Sequence, residues 1–453
     1  METARGDPSA RAAVTAELSA LGAIREFRRD ALGLLERLAA LGDVVRVPIP
    51  WTNAFLLNHP ELVHEVLVTH YRDFRKGPTV EASRMLLGES LLTTEGDRHR
   101  RQRRMIQPVF HRERIAGYAD TMVRLGEDAA DRWKDGATLD VHAAMASLTL
   151  AVVTETLFGA HRDDHRAATV TRALTELLAM FDRAYSPAFR LLVHLPTPTM
   201  RRFRRIQADL DGIVGDLVAE RRAAGADGDD VLSVLLRARD EDEGMTDAEV
   251  RDEALTLFLA GHETTANALT WTWWWLSEHP EIEARLHQEL DAGLDGRTPT
   301  VDDLERLRYA EWVLSESIRL RPPAWAIGRR AIADVEIGGV PIRAGSVVVV
   351  SPWLLHRDPR WWTEPTAFRP ERWSPEESAG RRRDIFLPFG AGPRRCVGEP
   401  FAWMEAVLLL STIARRWRFR PTSGRPVELQ AVVTLRPRHG LPMIAQRRRL
   451  PAG

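Results

Sequence analysis

Apolar side chains recur at the i, i+3, i+4 spacing of amphipathic helices along most of the chain. We predict an amphipathic helix over residues 30–41, a very basic helix over 98–107, and further helices over 309–320 and 400–415. Two of them end where Pro108 and Pro322 stand, because proline cannot continue a helix. The chain is therefore predicted to be mainly helical.

The longest helical pattern follows Thr246. Thr246 and Glu249 fit a capping box, in which the threonine hydroxyl accepts from a backbone N–H and the glutamate reaches back to the cap. The helix that opens there includes an apolar stretch over residues 254–276, about the length of a membrane span. Its centre carries a histidine, a glutamate and an asparagine, which hydrocarbon would penalise heavily. We therefore expect a long helix through a protein core rather than a membrane span.

Alternation with a period of two residues appears after residue 330. Three apolar runs separated by glycine turns predict a small antiparallel sheet over residues 335–350, and an irregular stretch over 351–398 follows. The fold class predicted is mainly α with a minor antiparallel β region. No shift in composition marks a boundary, so residues 1–453 are expected to form a single domain, with residues 1–29 as a flexible N-terminal segment.

Charge and cysteine content narrow the function classes. The 453 residues include 63 basic and 64 acidic side chains, and this balance gives no reason to expect a nucleic-acid partner. Cys396 is the only cysteine, which excludes an internal disulfide. The first twenty residues are too charged for a signal peptide or membrane anchor. We expect a cytoplasmic protein without a membrane anchor.

The irregular stretch ends in Phe-Gly-Ala-Gly-Pro-Arg-Arg-Cys-Val-Gly, residues 389–398. A lone cysteine is most often a small buried hydrophobe, but glycines at 390 and 392 let the backbone turn sharply and approach a flat group closely. Cys396 also lies just ahead of a predicted helix, where backbone N–H groups favour a thiolate. These features favour a metal-ligating thiolate over a dinucleotide loop, whose third glycine is replaced here by Arg395.

This run resembles the F-G-x-G-x-R-x-C-x-G signature of the cytochrome P450 family, with every specified position filled. Other family markers follow in order, so the resemblance covers nearly the whole chain. It implies the cytochrome P450 fold, with haem b between the long central helix and the cysteine loop with the last helix. It also implies that Cys396 is the axial ligand of the haem iron, and that Phe389, Gly390 and Gly398 contact the cofactor.

Two further segments resemble markers that brace the cysteine loop in this family. Glu316-Ser317-Ile318-Arg319 matches E-x-x-R, although such a pair alone is most often exposed. Pro370-Glu371-Arg372-Trp373 resembles P-E-R-F, with tryptophan in place of phenylalanine. The resemblance implies that Arg372 joins Glu316 and Arg319 in a buried charged cluster, a structural role rather than a catalytic one.

Polar residues in the middle of the long helix form a third marker. Ala260-Gly261-His262-Glu263-Thr264-Thr265 resembles A-G-x-[DE]-T-T, and a zinc-protease motif is excluded because Ala266 stands where histidine would be required. Solvated polar residues would be the ordinary interpretation, but they fit poorly in so apolar a helix. The resemblance implies that Ala260 and Gly261 line the haem and that Glu263 and Thr264 relay protons as the catalytic pair.

Basic residues elsewhere match propionate contacts of the family. His99 and Arg103 lie four apart on the basic helix, and Arg329 and Arg394 match further contacts. The remaining arginines of that region are expected to form a landing surface for an acidic electron-transfer protein. They are Arg98, Arg100, Arg101, Arg104 and Arg112.

The resemblance implies a haem-thiolate monooxygenase that inserts one atom of O2 into a C–H bond. It implies NAD(P)H-derived electrons delivered by a ferredoxin- or flavodoxin-type partner with its reductase, and we expect a monomer acting in secondary metabolism. A haem-thiolate isomerase or dehydratase remains an alternative, disfavoured by Glu263-Thr264. A non-catalytic haem-binding sensor is a second alternative, for which no signalling segment is left over.

The expected substrate is a hydrophobic small molecule such as a terpenoid, fatty acid or polyketide. The segments that would line the pocket by resemblance are mainly apolar. The candidate pocket residues are Met85, Leu86, Phe181, Ala260, Trp325, Ile327 and Val433.

Overall fold

A computed structural model describes most of the chain. The described residues are 13–49, 52–159, 173, 197–223, 225, 228, 230–240, 243–422, 424 and 426–448. Phe181, predicted to line the substrate pocket, lies outside the described residues.

Helices make up most of the described structure, as the sequence predicts. In chain order they are α1 (Ala20–Arg29), α2 (Ala31–Ala39), α3 (Pro60–His64), α4 (Pro78–Leu87), α5 (Gly96–Ile106), α6 (Arg112–Ala116), α7 (Ala119–Asp131), α8 (Val141–Phe158), α9 (Pro198–Ala223), α10 (Val231–Arg237), α11 (Asp247–Glu278), α12 (Pro280–Leu294), α13 (Arg308–Leu320), α14 (Pro352–Leu355), α15 (Pro375–Ser378) and α16 (Glu399–Ala414).

The strands are short. They are β1 (Val14–Thr15), β2 (Val44–Ile49), β3 (Thr52–Leu57), β4 (Phe74–Lys76), β5 (Thr138–Asp140), β6 (Arg239–Asp240), β7 (Glu243–Gly244), β8 (Ile327–Ala331), β9 (Val335–Ile337), β10 (Val340–Ile342), β11 (Val347–Val350), β12 (Trp417–Pro421), β13 (Leu429–Ala431), β14 (Leu435–Pro437) and β15 (Pro442–Arg447).

The chain divides into two compact units that interleave along the sequence. The first comprises residues 1–81, 318–369 and 374–396, and the second residues 82–317, 370–373 and 397–453. That residues 1–453 form a single haem domain stays a prediction. The flexibility expected of residues 1–29 also stays a prediction, although β1 and α1 occupy part of that segment.

A six-stranded sheet organises the first unit, in the order β1-β2-β3-β11-β8-β4. The sequence predicts that residues 346–350 pair with the two preceding strands, and this is wrong: β9 and β10 form a separate hairpin. β11 instead runs parallel to β3 and antiparallel to β8. The four valines of β11 are mostly buried, and a central strand covered on both faces is more favourable for them than an exposed hairpin edge.

The long helix α11 organises the second unit. Thr246 caps it with both hydrogen bonds of the predicted capping box, and the helix ends at Glu278, before His279-Pro280. It packs against α8 and α16, and α16 packs in turn against α7. A Cβ at Gly126 on α7 would lie 3.1 Å from Thr412 on α16, so glycine permits that close approach.

Tryptophan side chains of α11 anchor the second half of this helix in the core. Trp271 donates from its indole nitrogen to the Leu435 carbonyl at 3.0 Å, and Trp273 packs edge-on against Phe419 with 4.9 Å between ring centroids. Among the described residues, no helix combines the length and the apolar character needed to cross a bilayer. The apolar stretch over 254–276 is therefore a core helix, as the sequence predicts.

Candidate functional site

The cysteine loop has the sharp turns that its glycines predict. Gly390 and Gly392 adopt φ values of +71° and +70°, the left-handed region that side chains disfavour. A Cβ at Gly392 would collide with the backbone carbonyl of Leu67, so the loop lies directly on that segment. The loop closes through the amide of Cys396, which donates to the Phe389 carbonyl at 3.0 Å.

Arg394 fastens this loop to the segment before β4. Its two terminal nitrogens donate to the carbonyls of Tyr71 and Phe74 at 2.7 and 2.8 Å, and its guanidinium lies 5.7 Å from the centre of the Tyr71 ring. The predicted contact between Arg394 and a haem propionate stays a prediction. The observed contacts position the loop.

The thiol of Cys396 fits a haem ligand. Cys396 is exposed, and Gly398 is the N-cap of α16, which begins at Glu399. Backbone N–H groups at that helix start favour a thiolate over a thiol. The left-handed glycines let the loop turn sharply while Cys396 stays exposed. Donor chemistry and shape therefore both suit a sulfur-ligated haem.

Two of the three residues of the predicted charged cluster form a buried ion pair, and that Arg319 joins them stays a prediction. Arg372 donates from Nε to Glu316 Oε1 at 2.7 Å, and Trp373 donates from its indole nitrogen to Glu316 Oε2 at 3.0 Å. Glu316 is 0% and Arg372 is 2% exposed. Both carboxylate oxygens thus have donors, which burial of a charge requires.

Arg319, within the first unit, is buried among carbonyl groups. It donates to the carbonyls of His356, Pro365 and Ala367 at 2.6, 2.7 and 3.1 Å. Its guanidinium also lies 5.0 Å from the centre of the Trp362 ring. These contacts tie α13 to the segment that follows α14.

Threonine hydroxyls surround one turn in the middle of α11. Thr264 donates to the Ala260 carbonyl at 2.8 Å and Thr265 to the Gly261 carbonyl at 3.2 Å. Thr149 of α8 donates to the carbonyl of His262 at 2.9 Å. Three consecutive carbonyls therefore accept from side chains, an arrangement that loosens a helix locally, although α11 stays continuous here.

Gly261 and His262 fit this turn against α8. A Cβ at Gly261 would lie 3.1 Å from the Val153 side chain, so a larger residue would crowd that side chain. His262 is buried and its Nδ1 lies 3.0 Å from the Phe258 carbonyl, to which it donates. Burial lowers the pKa of His262, so its imidazole is neutral at neutral pH. Ala260, on the same turn, is exposed.

Glu263 contacts the hairpin formed by β13 and β14. Its Oε1 accepts from the Thr434 hydroxyl at 2.7 Å and lies 3.5 Å from Arg436 Nη1. Thr434 in turn accepts from the amide of Asn267 at 3.1 Å. Sequence reasoning singled out Glu263 but missed Arg436, because no local signal links positions so far apart in the chain.

His142 is a titratable neighbour of this group. Burial lowers its pKa, and the Arg436 charge lowers it further, while Asp140, Asn267 and Glu263 act in the opposite direction. Burial is the largest of these effects. His142 is therefore neutral at neutral pH and adds no charge beside Glu263.

The remaining predicted cofactor contacts lie on two elements. His99 is buried and Arg103 half-buried, and their spacing places both on one side of α5. Arg329 lies on β8 and is 8% exposed, with Nη1 donating to the Gly328 carbonyl at 2.9 Å. Their contacts with propionates stay predictions.

The arginines of α5 differ from the expected positive surface. Each of the four predicted there has a carboxylate partner within the second unit. The pairs are Arg98 with Glu89 and Glu249, Arg100 with Asp97, Arg101 with Glu243 and Glu249, and Arg104 with Asp240. Arg112, on α6, pairs with Glu305. The sequence did not reveal these partners, because most of the carboxylates lie on elements other than α5.

The described candidate pocket residues differ in exposure. In the second unit, Met85 and Val433 are 40% and 41% exposed, whereas Leu86 is buried. In the first unit, Trp325 is buried and Ile327 half-buried. Their contact with substrate stays a prediction.

A second group missed by sequence reasoning fixes the loop before α5. Asp252 of α11 accepts from the Glu89 amide at 2.7 Å, and Glu253 accepts from the Leu91 amide at 2.8 Å. Gly88 has a φ of +54°, and a Cβ there would collide with Asp252. Adjacent acids inside a buried helix were the only sequence signal for this contact.

Known proteins resemble the chain over nearly its full length. The family described as Cytochrome P450 matches residues 21–442. Cyclooctat-9-en-7-ol 5-monooxygenase of Streptomyces melanosporofaciens is 40% identical over 409 residues, covering 89% of this chain and 88% of that protein. Pentalenene oxygenase of Streptomyces avermitilis is 37% identical over 413 residues, covering 90% and 91%.

A solved structure shares the fold. The crystal structure of the cytochrome P450DA heme domain superposes with a TM-score of 0.85 at 25% identity, covering 97% of this chain and 98% of that one. The family match implies a haem-iron cofactor, O2 as a reactant, an external redox partner and a hydrophobic substrate. The chain therefore belongs to the cytochrome P450 family, and it is a monooxygenase.

Proposed function

We propose that this monooxygenase oxygenates a cyclic terpenoid. The names of the relatives support this choice, since they describe oxygenation of cyclooctat-9-en-7-ol and of pentalenene. Cyclooctatin synthase of Streptomyces melanosporofaciens is also 40% identical, over 412 residues. The apolar candidates Met85, Leu86, Trp325, Ile327 and Val433 suit such a substrate. Ala260 and Phe181 complete the proposed set.

The observation that carries the haem assignment is the loop that presents Cys396. Cys396 would hold the iron through sulfur, and Phe389, Gly390 and Gly398 would contact the ring. His99, Arg103, Arg329 and Arg394 would hold the propionates, because guanidinium groups bind carboxylates through paired hydrogen bonds. When bound, haem supplies the activation of O2 for insertion into a C–H bond.

Glu263 and Thr264 would move protons within the site. The Thr264 hydroxyl donates to the Ala260 carbonyl, so its oxygen remains able to accept from a water molecule. Adjacent helix residues project about 100° apart, so a proton passes between Glu263 and Thr264 through water. Thr264 Oγ1 would accept from the water molecule nearest the reacting oxygen and hold that water in place, and Glu263 would be the ionisable carrier that supplies the proton.

The remaining assignments are also proposals. Electrons derived from NAD(P)H would arrive from a ferredoxin- or flavodoxin-type protein. The protein would act in the cytoplasm as a monomer, with residues 1–453 as one haem domain. Glu316, Arg319 and Arg372 would support the cysteine loop without contacting the reacting atoms.

A spectrum tests the proposed ligand. Reduced protein with carbon monoxide is expected to show the red-shifted Soret band of thiolate-ligated haem, and Cys396→Ser to lose that band together with activity. Because Cys396 is the only cysteine, no other thiol can replace it. A wild-type spectrum typical of histidine ligation would refute the assignment.

The proton role of Thr264 has its own test. Thr264→Ala is expected to lower product formed per NAD(P)H and to raise hydrogen peroxide, with substrate affinity unchanged. Thr264→Ser keeps a hydroxyl and is the matched control, expected to couple nearly as well as wild type. Equal coupling in the alanine variant would exclude this hydroxyl from the relay.

Substrate class is tested by a panel with the reconstituted enzyme. Polycyclic terpene hydrocarbons and alcohols are expected to give products heavier by one oxygen atom, and medium-chain fatty acids and macrolactones to give none. The same gain in mass from a fatty acid alone would replace the terpenoid proposal with a fatty-acid one.

A further inference from the structure

Glu263, the proposed proton carrier, is held by contacts with the β13–β14 hairpin. Glu263 lies on α11, and the hairpin is about 170 residues further along the chain. Carrying protons alone would not require Glu263 to have partners on a separate element. We therefore asked what the contacts with the hairpin do for this carboxylate.

The hydrogen bonds to Glu263 have a fixed direction. Thr434 has one hydroxyl proton, and it receives a hydrogen bond from Asn267 at 3.1 Å, so its own proton is donated to Glu263 Oε1 at 2.7 Å. Asn267 is fully buried and Thr434 is 7% exposed. The Thr434 hydroxyl is therefore the donor, and Glu263 is the acceptor, of this hydrogen bond.

A cation reinforces this hold. Arg436 Nη1 lies 3.5 Å from the same Oε1, and Arg436 Nε donates to Gln430 at 3.2 Å. Gln430 and Arg436 face each other across the hairpin, so the strand pairing orients the guanidinium. The side chains of Glu263 and Arg436 are 13% and 22% exposed, which limits screening of their attraction by solvent.

Both contacts use Oε1 of Glu263. The carboxylate can therefore stay attached to the hairpin through one oxygen while the other exchanges protons with water. Val433, the exposed candidate substrate contact, immediately precedes Thr434 in the turn. The residue that would contact substrate and the residue that holds the acid thus belong to one turn.

We propose that Thr434 and Arg436 are positioning residues for Glu263, which hold its carboxylate at the place from which it delivers protons. The proposal rests on the proposed monooxygenase function of this site. Neither residue touches the reacting atoms. Loss of either would leave the acid present but mispositioned, so it would lower the rate of turnover without changing substrate affinity.

Turnover in a double-mutant cycle separates this role from a structural one. Arg436→Gln and Glu263→Gln are each expected to lower kcat about fivefold with KM nearly unchanged, and the double variant to be no slower than Glu263→Gln alone. Arg436→Lys keeps the cation and is expected to recover most of the rate. Arg438→Gln, two residues along and paired with Glu428, is the matched control and is expected to leave kcat unchanged.

Thr434 is tested in the same cycle. Thr434→Val removes the donor while keeping the shape and is expected to lower kcat, whereas Thr434→Ser keeps the hydroxyl and is expected to restore it. A hairpin with a purely structural role predicts that Arg436→Gln and Glu263→Gln multiply in the double variant, and that result would overturn the proposal. An unchanged kcat in Arg436→Gln would overturn it as well.

Amide hydrogen exchange tests the contact between Glu263 and the hairpin in a way that does not depend on enzyme activity. Glu263→Gln is expected to speed amide exchange in residues 429–437 about threefold or more, because the hairpin loses its charged contact with α11. Glu278→Gln, at the exposed end of the same helix, is the control and is expected to change nothing there. Unchanged exchange in Glu263→Gln would refute the contact itself.

The two hypotheses fail differently. If the carbon monoxide spectrum lacks the thiolate band, the proposed haem ligation is wrong, while hydrogen exchange still reports on the hairpin contact. If the band and turnover are present but the cycle shows independent effects, the positioning role is wrong and the monooxygenase assignment stands.

Discussion

Glu316 and Glu405 are both completely buried on helices of the second unit, yet their surroundings differ. Glu316 on α13 accepts from Arg372 at Oε1 and from Trp373 at Oε2. Burial raises the pKa of Glu405, on α16, to about 8. Among the described groups, only the Thr265 hydroxyl acts in the opposite direction, and burial outweighs it. The same side chain is thus a partner in an ion pair at one site and a carboxyl that tends to stay protonated at the other.

The comparison shows that burial does not fix what a carboxyl does. A buried charge is tolerated when every oxygen has a strong donor, and removing one partner leaves the other charge uncompensated. A buried carboxyl without a cation keeps its proton instead, and its contribution to stability then depends on pH. Four substitutions test this difference, from the largest expected effect to the smallest.

Glu316→Gln is expected to cost about 3–5 kcal/mol of folding free energy, because it leaves the Arg372 guanidinium buried without its counter-charge. We also expect the variant to fail to incorporate haem. The measurements are denaturant unfolding and the ratio of haem to protein after purification. Glu311→Gln, on the exposed side of the same helix, is the control, and its Arg308 pair is expected to contribute less than about 1 kcal/mol. A full haem complement and wild-type stability in Glu316→Gln would contradict this expectation.

Glu405→Gln is expected to stabilise the protein, and its gain in free energy of unfolding over wild type is expected to increase with pH. Between the ordinary pKa of 4.5 and the folded value of about 8 the unfolded chain releases a proton that the folded protein keeps, so wild-type stability falls as pH rises. Each pH unit across this window is worth about 1.4 kcal/mol, so the gain at pH 8 reaches a few kcal/mol. Unfolding at pH 5, 6.5 and 8 measures it.

A constant difference between Glu405→Gln and wild type at all three pH values would show that the side chain is ionised throughout. The Glu316 site provides the contrast, since removing that carboxylate is expected to destabilise the fold across the same pH range. Opposite signs for the same substitution at two buried sites would establish the comparison.

Trp373→Phe removes one donor from Glu316 and leaves the ion pair with Arg372 intact. Oε2 would lose the indole donor at 3.0 Å, and the loss of a buried hydrogen bond of this kind is expected to cost about 1–3 kcal/mol. Phenylalanine is also the residue in the P-E-R-F marker that this segment resembles. A variant as stable as wild type would mean that water replaces the indole at Oε2.

Local signals made much of the molecule predictable. The capping box at Thr246 gave the start of α11, and the glycines of the cysteine loop gave its left-handed turns, because both depend on residues close together in sequence. The pairing of β11 with β3 was not predictable, since no local pattern says which of several apolar strands meet. The contact of Arg436 with Glu263 and the absence of a cation beside Glu405 among the described residues depend in the same way on the final packing.

The arginines of α5 are the exposed counterpart of the buried pair. A basic run predicts a positive surface, but Arg98, Arg100, Arg101 and Arg104 meet five carboxylates in the second unit, so their charges are largely cancelled. Exposed pairs of this kind contribute little to stability. Arg100→Gln, which removes a cation that is half exposed beside Asp97, is therefore expected to leave the unfolding midpoint within about 2 °C of wild type.

The same variant reports on the redox partner. If the α5 charges are cancelled, Arg100→Gln is expected to change the rate of reduction by an acidic electron-transfer protein less than about twofold, at low and at moderate ionic strength alike. Arg112→Gln, at the most exposed of these pairs, provides a second measurement on α6. A steep fall in the rate with salt, abolished by Arg100→Gln, would restore the landing surface that the sequence predicts. It would also mean that the pair with Asp97 opens when the partner binds, an exchange that the buried Glu316–Arg372 pair, without access to solvent, cannot make.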